Sequence, residues 1–238
     1  MFEISKNSYL TLLKLSGVSS FMQDNPNNLY EKKENVNIPS EDRSISGVKN
    51  IEDLKIFVNN SIDCNFKKNA KKTVVCDGNE KAKIMLIGEA PGAEEDKIGK
   101  PFVGAAGQLL NKMLDAISLN RNKVYITNVI PWRPPNNRAP TNEEILKCLP
   151  FIQKHIELIN PKIIVLLGST ASKAILTTNL SISKLRGSWH EYKSINLKNK
   201  IKCLVTYHPA FLLRSPNYKK QSWEDLKMIE KKIVDENI

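Results

Sequence analysis

Cysteine is scarce: 238 residues contain four, Cys64, Cys76, Cys148 and Cys203, at spacings that form no CxxC pair. That is too few for the disulfide framework of a secreted domain, so reduced thiols are expected. Long apolar runs are missing too. Stretches such as Ile84–Ile87 and Ile163–Leu167 fall far short of the ~18 residues a membrane span needs, and no membrane association is expected. The opening residues, MFEISKNSYLTLLKLSGVSS, break their apolar positions with polar ones and end in no small-residue cleavage site, which points to a cytoplasmic chain. Neither G-x-x-x-x-G-K-[ST] nor G-x-G-x-x-G occurs, and this argues against a nucleotide triphosphatase or a dinucleotide enzyme. Acidic residues are in deficit, with 25 Asp+Glu against 36 Lys+Arg and a net charge of +11. Such an excess favours a polyanionic partner without specifying a fold.

What is present is the composition of a globular protein, 41% hydrophobic and 26% charged, long enough for one α/β core with residues to spare. Residues 1–48 divide into an amphipathic segment, Tyr9–Met22, and a tract rich in Asn, Glu, Lys, Ser and Pro. A short helix and a flexible linker are expected there, with the folded domain spanning 49–238. Ile51, Leu54, Phe57 and Val58 recur at helical spacing. From Lys83 onward short apolar runs alternate with amphipathic segments: KIMLIG, a helix over Ala106–Ile117, VYITNVI, a helix over Asn142–Ile159, KIIVLLG, a helix over Thr170–Leu176, and KCLVTYHP before a helix over Trp223–Val234. Strands alternating with helices imply βαβ crossovers and a mostly parallel sheet covered on both faces. Ligands bind such sheets beyond the carboxyl ends of the strands.

Those ends carry the residues with chemical potential. After the first strand, Gly88-Glu89-Ala90-Pro91-Gly92 forms a Gly/Pro-bracketed turn that could present Glu89 and the Ala90 amide to a shared site; a plain βα turn with a solvated carboxylate is the alternative. Asn128 interrupts an apolar strand, either to anchor a loop or to read a base edge with its donor and acceptor. His208 leaves the sheet just before Pro209 and is a candidate proton donor, whereas His155 and His190 lack a partner at metal-ligand spacing. Phe102 is either core or a base-stacking platform. From Arg186 to Lys232 there are eleven Lys/Arg against four Asp/Glu, a net of +7. In that region HPAFLLRSPNYKK sets Phe211, Leu212 and Leu213 beside Arg214, Lys219 and Lys220. An apolar wedge beside cations suits a protein that unstacks a duplex and holds its phosphates, and a solvated charged helix face is the commoner cause.

In combination these residues resemble the bacterial uracil-DNA glycosylases of the type-4 family, from about Ile56 to Val234. The matching stretches are GEAPGAEEDKIGKPFVGAAGQLLNKML, VYITNV followed by WRPPNNRAPT, PKIIVLLGSTA, ISKLRGSWHEY and HPAFLLR with the Trp223 helix after it. The resemblance implies a three-layer αβα sandwich around a four-stranded parallel sheet, and a monomeric, monofunctional enzyme that excises uracil from DNA. It further implies that Glu89 positions the attacking water and that the Ala90 amide helps to hold the base. Glu95 would wall off the C5 edge of uracil, Phe102 stack on the flipped base, and Asn128 read N3–H and O4. His208 would face O2, Ser169 contact a phosphate, and Leu212 with its neighbours Leu213 and Arg214 fill the gap left in the duplex.

The departure concerns metal. Type-4 enzymes hold a [4Fe–4S] cluster with four cysteines, and only Cys64 and Cys148 match those positions. Lys67 stands where the second Cys of a CxxC would fall, and Trp132 replaces the cysteine of the family's KCRPP. No cofactor and no metal are therefore expected, with Trp132 packing in the cluster's place. Two other readings remain open at this stage: a non-catalytic module that binds damaged DNA, and a cluster-bearing redox or regulatory protein.

Overall fold

The computed structural model describes residues 45–61 and 67–238. The expected Tyr9–Met22 helix and nearly all of the tract after it lie outside the described residues, as do Cys64 and Phe66. Met1–Gly47 and Val48–Ile238 are separate units, and of the first only a 3-10 turn, Ile45–Gly47, is described. In the second unit the Asn50 side chain accepts a 2.8 Å hydrogen bond from the Asp53 N–H and starts helix α1 (Ile51–Asn60), the usual work of an N-cap asparagine.

Next come β1 (Cys76–Gly78), β2 (Ile84–Gly88), α2 (Ala93–Ile98), α3 (Ala105–Asp115) and β3 (Tyr125–Asn128). The chain continues through α4 (Asn142–Ile159), β4 (Ile163–Leu167), α5 (Ser169–Leu176), α6 (Ile182–Leu185) and β5 (Trp189–Tyr192). It ends with β6 (Ile201–Thr206), α7 (Pro209–Arg214) and α8 (Lys219–Glu236). The sheet order is β1-β3-β2-β4-β6-β5. The four middle strands are parallel, as expected, and every residue of β2, β3 and β4 is buried.

Two further strands at the edges extend this parallel centre to a six-stranded sheet. β1 pairs antiparallel with β3 and β5 antiparallel with β6. The three residues of β1, Cys-Asp-Gly, carry no apolar alternation that would announce a strand. The alternating side chains of the sheet feed two different layers. Leu86, Ile126, Val165 and Leu204 join a buried cluster with Leu110 and Met113 of α3, Leu212 of α7, and Leu226 and Ile229 of α8. On the opposite face the Tyr125 hydroxyl meets His155 Nδ1 of α4 at 2.7 Å, and α4 in turn packs against α1. Helices thus cover both faces, giving the αβα sandwich. Among the described residues no helix is long and apolar enough to cross a membrane.

Candidate active site

The parallel register sets Gly88, the last residue of β2, beside Asn128, the last of β3. A Cβ at position 88 would lie 2.4 Å from Asn128 Oδ1 and 2.5 Å from Phe102 Cζ. Only glycine lets those two side chains converge over the strand ends. Asn128 is 5% exposed, and its Oδ1 is the one buried side-chain polar atom without a hydrogen-bond partner among the described residues. A buried carbonyl left unpaired costs about 1–3 kcal/mol, so this atom is an acceptor that a bound donor would complete.

The Phe102 ring lies 5.6 Å from the His208 ring, tilted by 31°. His208 caps α7, and its Nδ1 accepts the Ala210 N–H at 3.1 Å. An accepting Nδ1 carries no proton, which places the ring hydrogen of the neutral imidazole on Nε2. Burial, reinforced by the Arg214 charge and opposed by Glu95, brings the His208 pKa down to about 4. At neutral pH His208 is therefore an uncharged N–H donor. At the end of β2 the half-buried Glu89 accepts a 2.5 Å hydrogen bond from the Thr170 hydroxyl on α5, which fixes the carboxylate. The Ala90 N–H, next in the chain, makes no hydrogen bond among the described residues. A carboxylate, a neutral imidazole N–H, an amide and an aromatic face thus come together at the carboxyl ends of β2, β3 and β6.

Glu95 has a second duty. Its carboxylate accepts the backbone N–H groups of Gly92 (3.1 Å), Val103 (2.9 Å) and Gly104 (2.8 Å), tying the turn after β2 to the loop that carries Phe102. Ser169 is exposed as the first residue of α5. The HPAFLLR segment divides in a way its sequence did not disclose. Leu212 is 1% exposed and belongs to the core, so it is not available at the surface, while Leu213 is 44% exposed and Arg214 lies beside it on the surface. Its last six residues form α7 behind the His208 cap, and helical geometry turns neighbouring leucines to different sides. Thr170 escaped the sequence reading, although it directly follows Ser169; nothing in the pattern links it to Glu89 eighty-one residues away.

The corner where the resemblance expects metal is packed by side chains. Trp132 is wholly buried, donates its indole N–H to Thr73 Oγ1 at 3.1 Å and meets Phe151 edge-on at 6.0 Å. Phe151 in turn meets Phe57 of α1 at 6.2 Å. Lys67 donates its ammonium to the carbonyls of Asn59 and Ser61 at the end of α1. Cys148 is buried in α4. Among the described residues no three His, Cys, Asp or Glu side chains group to hold a metal ion.

Two histidines set the pH response of the fold. Burial, with a contribution from Lys55, lowers His155 to about 3, and His208 stands near 4. Unfolded histidine titrates near ~6.5. Between that value and the folded pKa values the unfolded chain holds more protons, so stability falls as pH drops from about 6.5 toward 4. The carboxylates held low, Glu144 and Glu191 at about 2, add their losses only below their unfolded pKa of ~4.3. The urea midpoint should therefore already decline between about pH 6.5 and 5; a constant midpoint there would show that these imidazoles are not buried neutral.

Residues 75–227 match the family model described as the uracil DNA glycosylase superfamily. A protein of Archaeoglobus fulgidus named type-4 uracil-DNA glycosylase is 40% identical over 188 residues, covering 76% of this chain and 92% of that protein. Its namesake from Sulfurisphaera tokodaii is 42% identical, covering 75% of this chain and 83% of that protein. The one from Thermotoga maritima is 44% identical over 153 residues, covering 64% and 77%.

Proposed function

The chain belongs to the uracil DNA glycosylase superfamily, and from that premise we propose that it hydrolyses the N-glycosidic bond of uracil in DNA and leaves an abasic site for base excision repair. The observation that carries the reading is the orphaned Oδ1 of Asn128, buried at the carboxyl edge of the sheet where it and the Phe102 ring both close on Gly88. A base inside a duplex cannot reach such a spot, so the nucleotide must be extruded, at least cost where uracil is mispaired. The N3–H of uracil would then complete Asn128 Oδ1, and the Asn128 NH₂ would donate to O4. Cytosine presents an acceptor at N3 and a donor at the 4-position, leaving both amide atoms opposed.

Phe102 offers its face to the extruded ring. Glu95, held by three backbone amides, forms a fixed wall that a methyl at C5 would strike. As the glycosidic bond stretches, negative charge grows on uracil O2 and positive charge on the sugar. The Nε2–H of neutral His208 donates toward O2, joined by the Ala90 amide. Glu89, steadied by Thr170, orients water toward C1′. The exposed Leu213 enters the space vacated in the duplex, and Arg214, with Ser169 at the start of α5, meets phosphates. No lysine stands among the converging residues, which favours simple hydrolysis over a Schiff-base lyase.

The donor set does not fit a [4Fe–4S] cluster. Lys67 is cationic, and the Trp132 indole has no lone pair to give and already spends its N–H on Thr73. The reading is therefore of a cluster-free branch in which the aromatic corner replaces metal. Incubation with a duplex containing a single uracil opposite guanine tests the function. Free uracil and a strand that breaks only after hot alkali are expected. Intact substrate after binding would indicate the non-catalytic module, and strand cleavage without alkali would indicate lyase chemistry.

A further inference from the structure

Phe102 is held in an uncomfortable backbone conformation. Its φ of 55° lies in the left-handed region, where a bulky side chain is a marked outlier that must be held by its surroundings. Two structures hold it. From one side α3 presses on it: a Cβ on Gly107 would lie 1.8 Å from the Phe102 carbonyl oxygen, so the helix backbone itself closes against residue 102. From the other side comes Arg121, in the 3-10 turn ahead of β3. Its Nη2 donates to the Pro101 carbonyl at 2.7 Å, and its Nη1 donates to the Phe102 carbonyl at 3.0 Å and to Asn111 Oδ1 at 3.4 Å. The guanidinium is anchored in turn by Asp77 of β1, with Nε at 2.7 Å and Nη2 at 2.6 Å from Oδ2.

We propose that Arg121, anchored by Asp77, is a positioning residue for uracil excision that locks Phe102 in the left-handed conformation and so aims its ring over Asn128 and against His208. The inference rests on the reading of Phe102 as the stacking aromatic. A planar fork with several fixed donors suits two consecutive carbonyls as a lysine ammonium does not. The arrangement also gives a purpose to the short edge strand β1, which brings Asp77 to the guanidinium. Arg121 stands outside the pocket and touches no reacting atom. Its reach toward the site is through Phe102: the two carbonyls it grips are those of Pro101 and Phe102, and its third acceptor, Asn111 Oδ1, lies on α3, the helix that presses on the same residue.

A double-mutant cycle tests this, read by single-turnover excision and by inhibition with free uracil, with thermal unfolding followed alongside. Arg121→Ala should slow excision by about tenfold to a hundredfold and weaken free-uracil inhibition to a similar degree, while affinity for abasic-site duplex stays within about twofold. Arg121→Lys should recover only part of the rate, and Asp77→Asn should show a milder loss of the same kind. Placed on Phe102→Ala, Arg121→Ala should add no more than about a twofold loss, because coupled residues are not additive. If Arg121→Ala does not fold, Arg121→Lys takes its place in the cycle with the same criteria. Full multiplication of the two losses, or equal loss of uracil inhibition and abasic-duplex affinity, would overturn the clamp and leave Phe102 as the stacking residue. Wild-type excision by Phe102→Ala would instead overturn the stacking reading, and the clamp with it.

Discussion

Replacing Asn128 with Asp is expected to slow uracil excision by about 10³-fold or more, with little change in affinity for undamaged duplex. The substitution keeps size and shape and alters only charge and hydrogen-bond character. Asn128 Oδ1 lacks a hydrogen-bond partner among the described residues, so a carboxylate there is a buried anion without a donor, and it must either take up a proton or destabilise its surroundings. An ionised Asp cannot donate to uracil O4 and repels it. The carboxylates of the candidate site offer no counter-charge: Glu89 is held by Thr170 and Glu95 by three amides, and both are acidic. Single-turnover rates, with the unfolding temperature recorded to exclude a folding defect, check the expectation. Wild-type excision by Asn128→Asp would remove Asn128 from base recognition.

The second large effect concerns stability. Trp132→Ala should destabilise the fold by about 3–5 kcal/mol, the range for deleting a large aromatic from a core that cannot collapse into the space. Trp132 is completely buried, anchored through Thr73 and packed edge-on against Phe151, which links it to Phe57 of α1. That chain of rings joins the segment before the sheet to α4, at the corner where the resemblance would place metal. Equilibrium denaturation of the variant checks the magnitude. Protein purified anaerobically should be colourless and free of iron and sulfide, and chelators should leave its unfolding unchanged. A loss under 1 kcal/mol, or stoichiometric iron with sulfide, would refute the aromatic corner and require the other cysteines as ligands. Cys76 and Cys203 lie in β1 and β6, and burial raises both thiols, Cys203 to about 12, which opposes the thiolate form a metal needs.

The parallel centre of the fold was legible because buried strands such as Ile84–Gly88 and Ile163–Leu167 are continuous apolar runs, bounded by glycines and separated by amphipathic helices. Asn142–Ile159 was readable to the residue, since Thr141 and Glu144 form a capping box at its start. Edge strands were harder, as β1 consists of Cys, Asp and Gly and relies on β3 for its conformation. The start of α8 at Lys219 lacks apolar periodicity until Trp223, and Pro216 sets the chain into a 3-10 turn that runs directly into it.

Within the candidate site, Glu89, Asn128, Phe102 and His208 announced themselves by breaking local rules: a carboxylate between glycines, an amide in an apolar strand, an aromatic in a loop, an imidazole before proline. Residues that act on those four obeyed their local rules and stayed hidden. Thr170 reads as an ordinary first-turn residue and Arg121 as a solvated cation. The distinction between Leu212 and Leu213 depends on which way α7 faces the sheet, a tertiary fact that six residues of sequence do not encode.

Selection of uracil should rest on one site, with Gly88 at its base and Asn128 reading the base edge. The most direct measurement compares single-turnover release of uracil, thymine and cytosine, each opposite guanine in one duplex sequence at neutral pH. Uracil should be released, with thymine and cytosine slower by about 10³-fold or more, thymine because its methyl meets the wall formed by Glu95 and cytosine because it inverts both Asn128 contacts. No uracil release, or release of the three bases at similar rates, would contradict it.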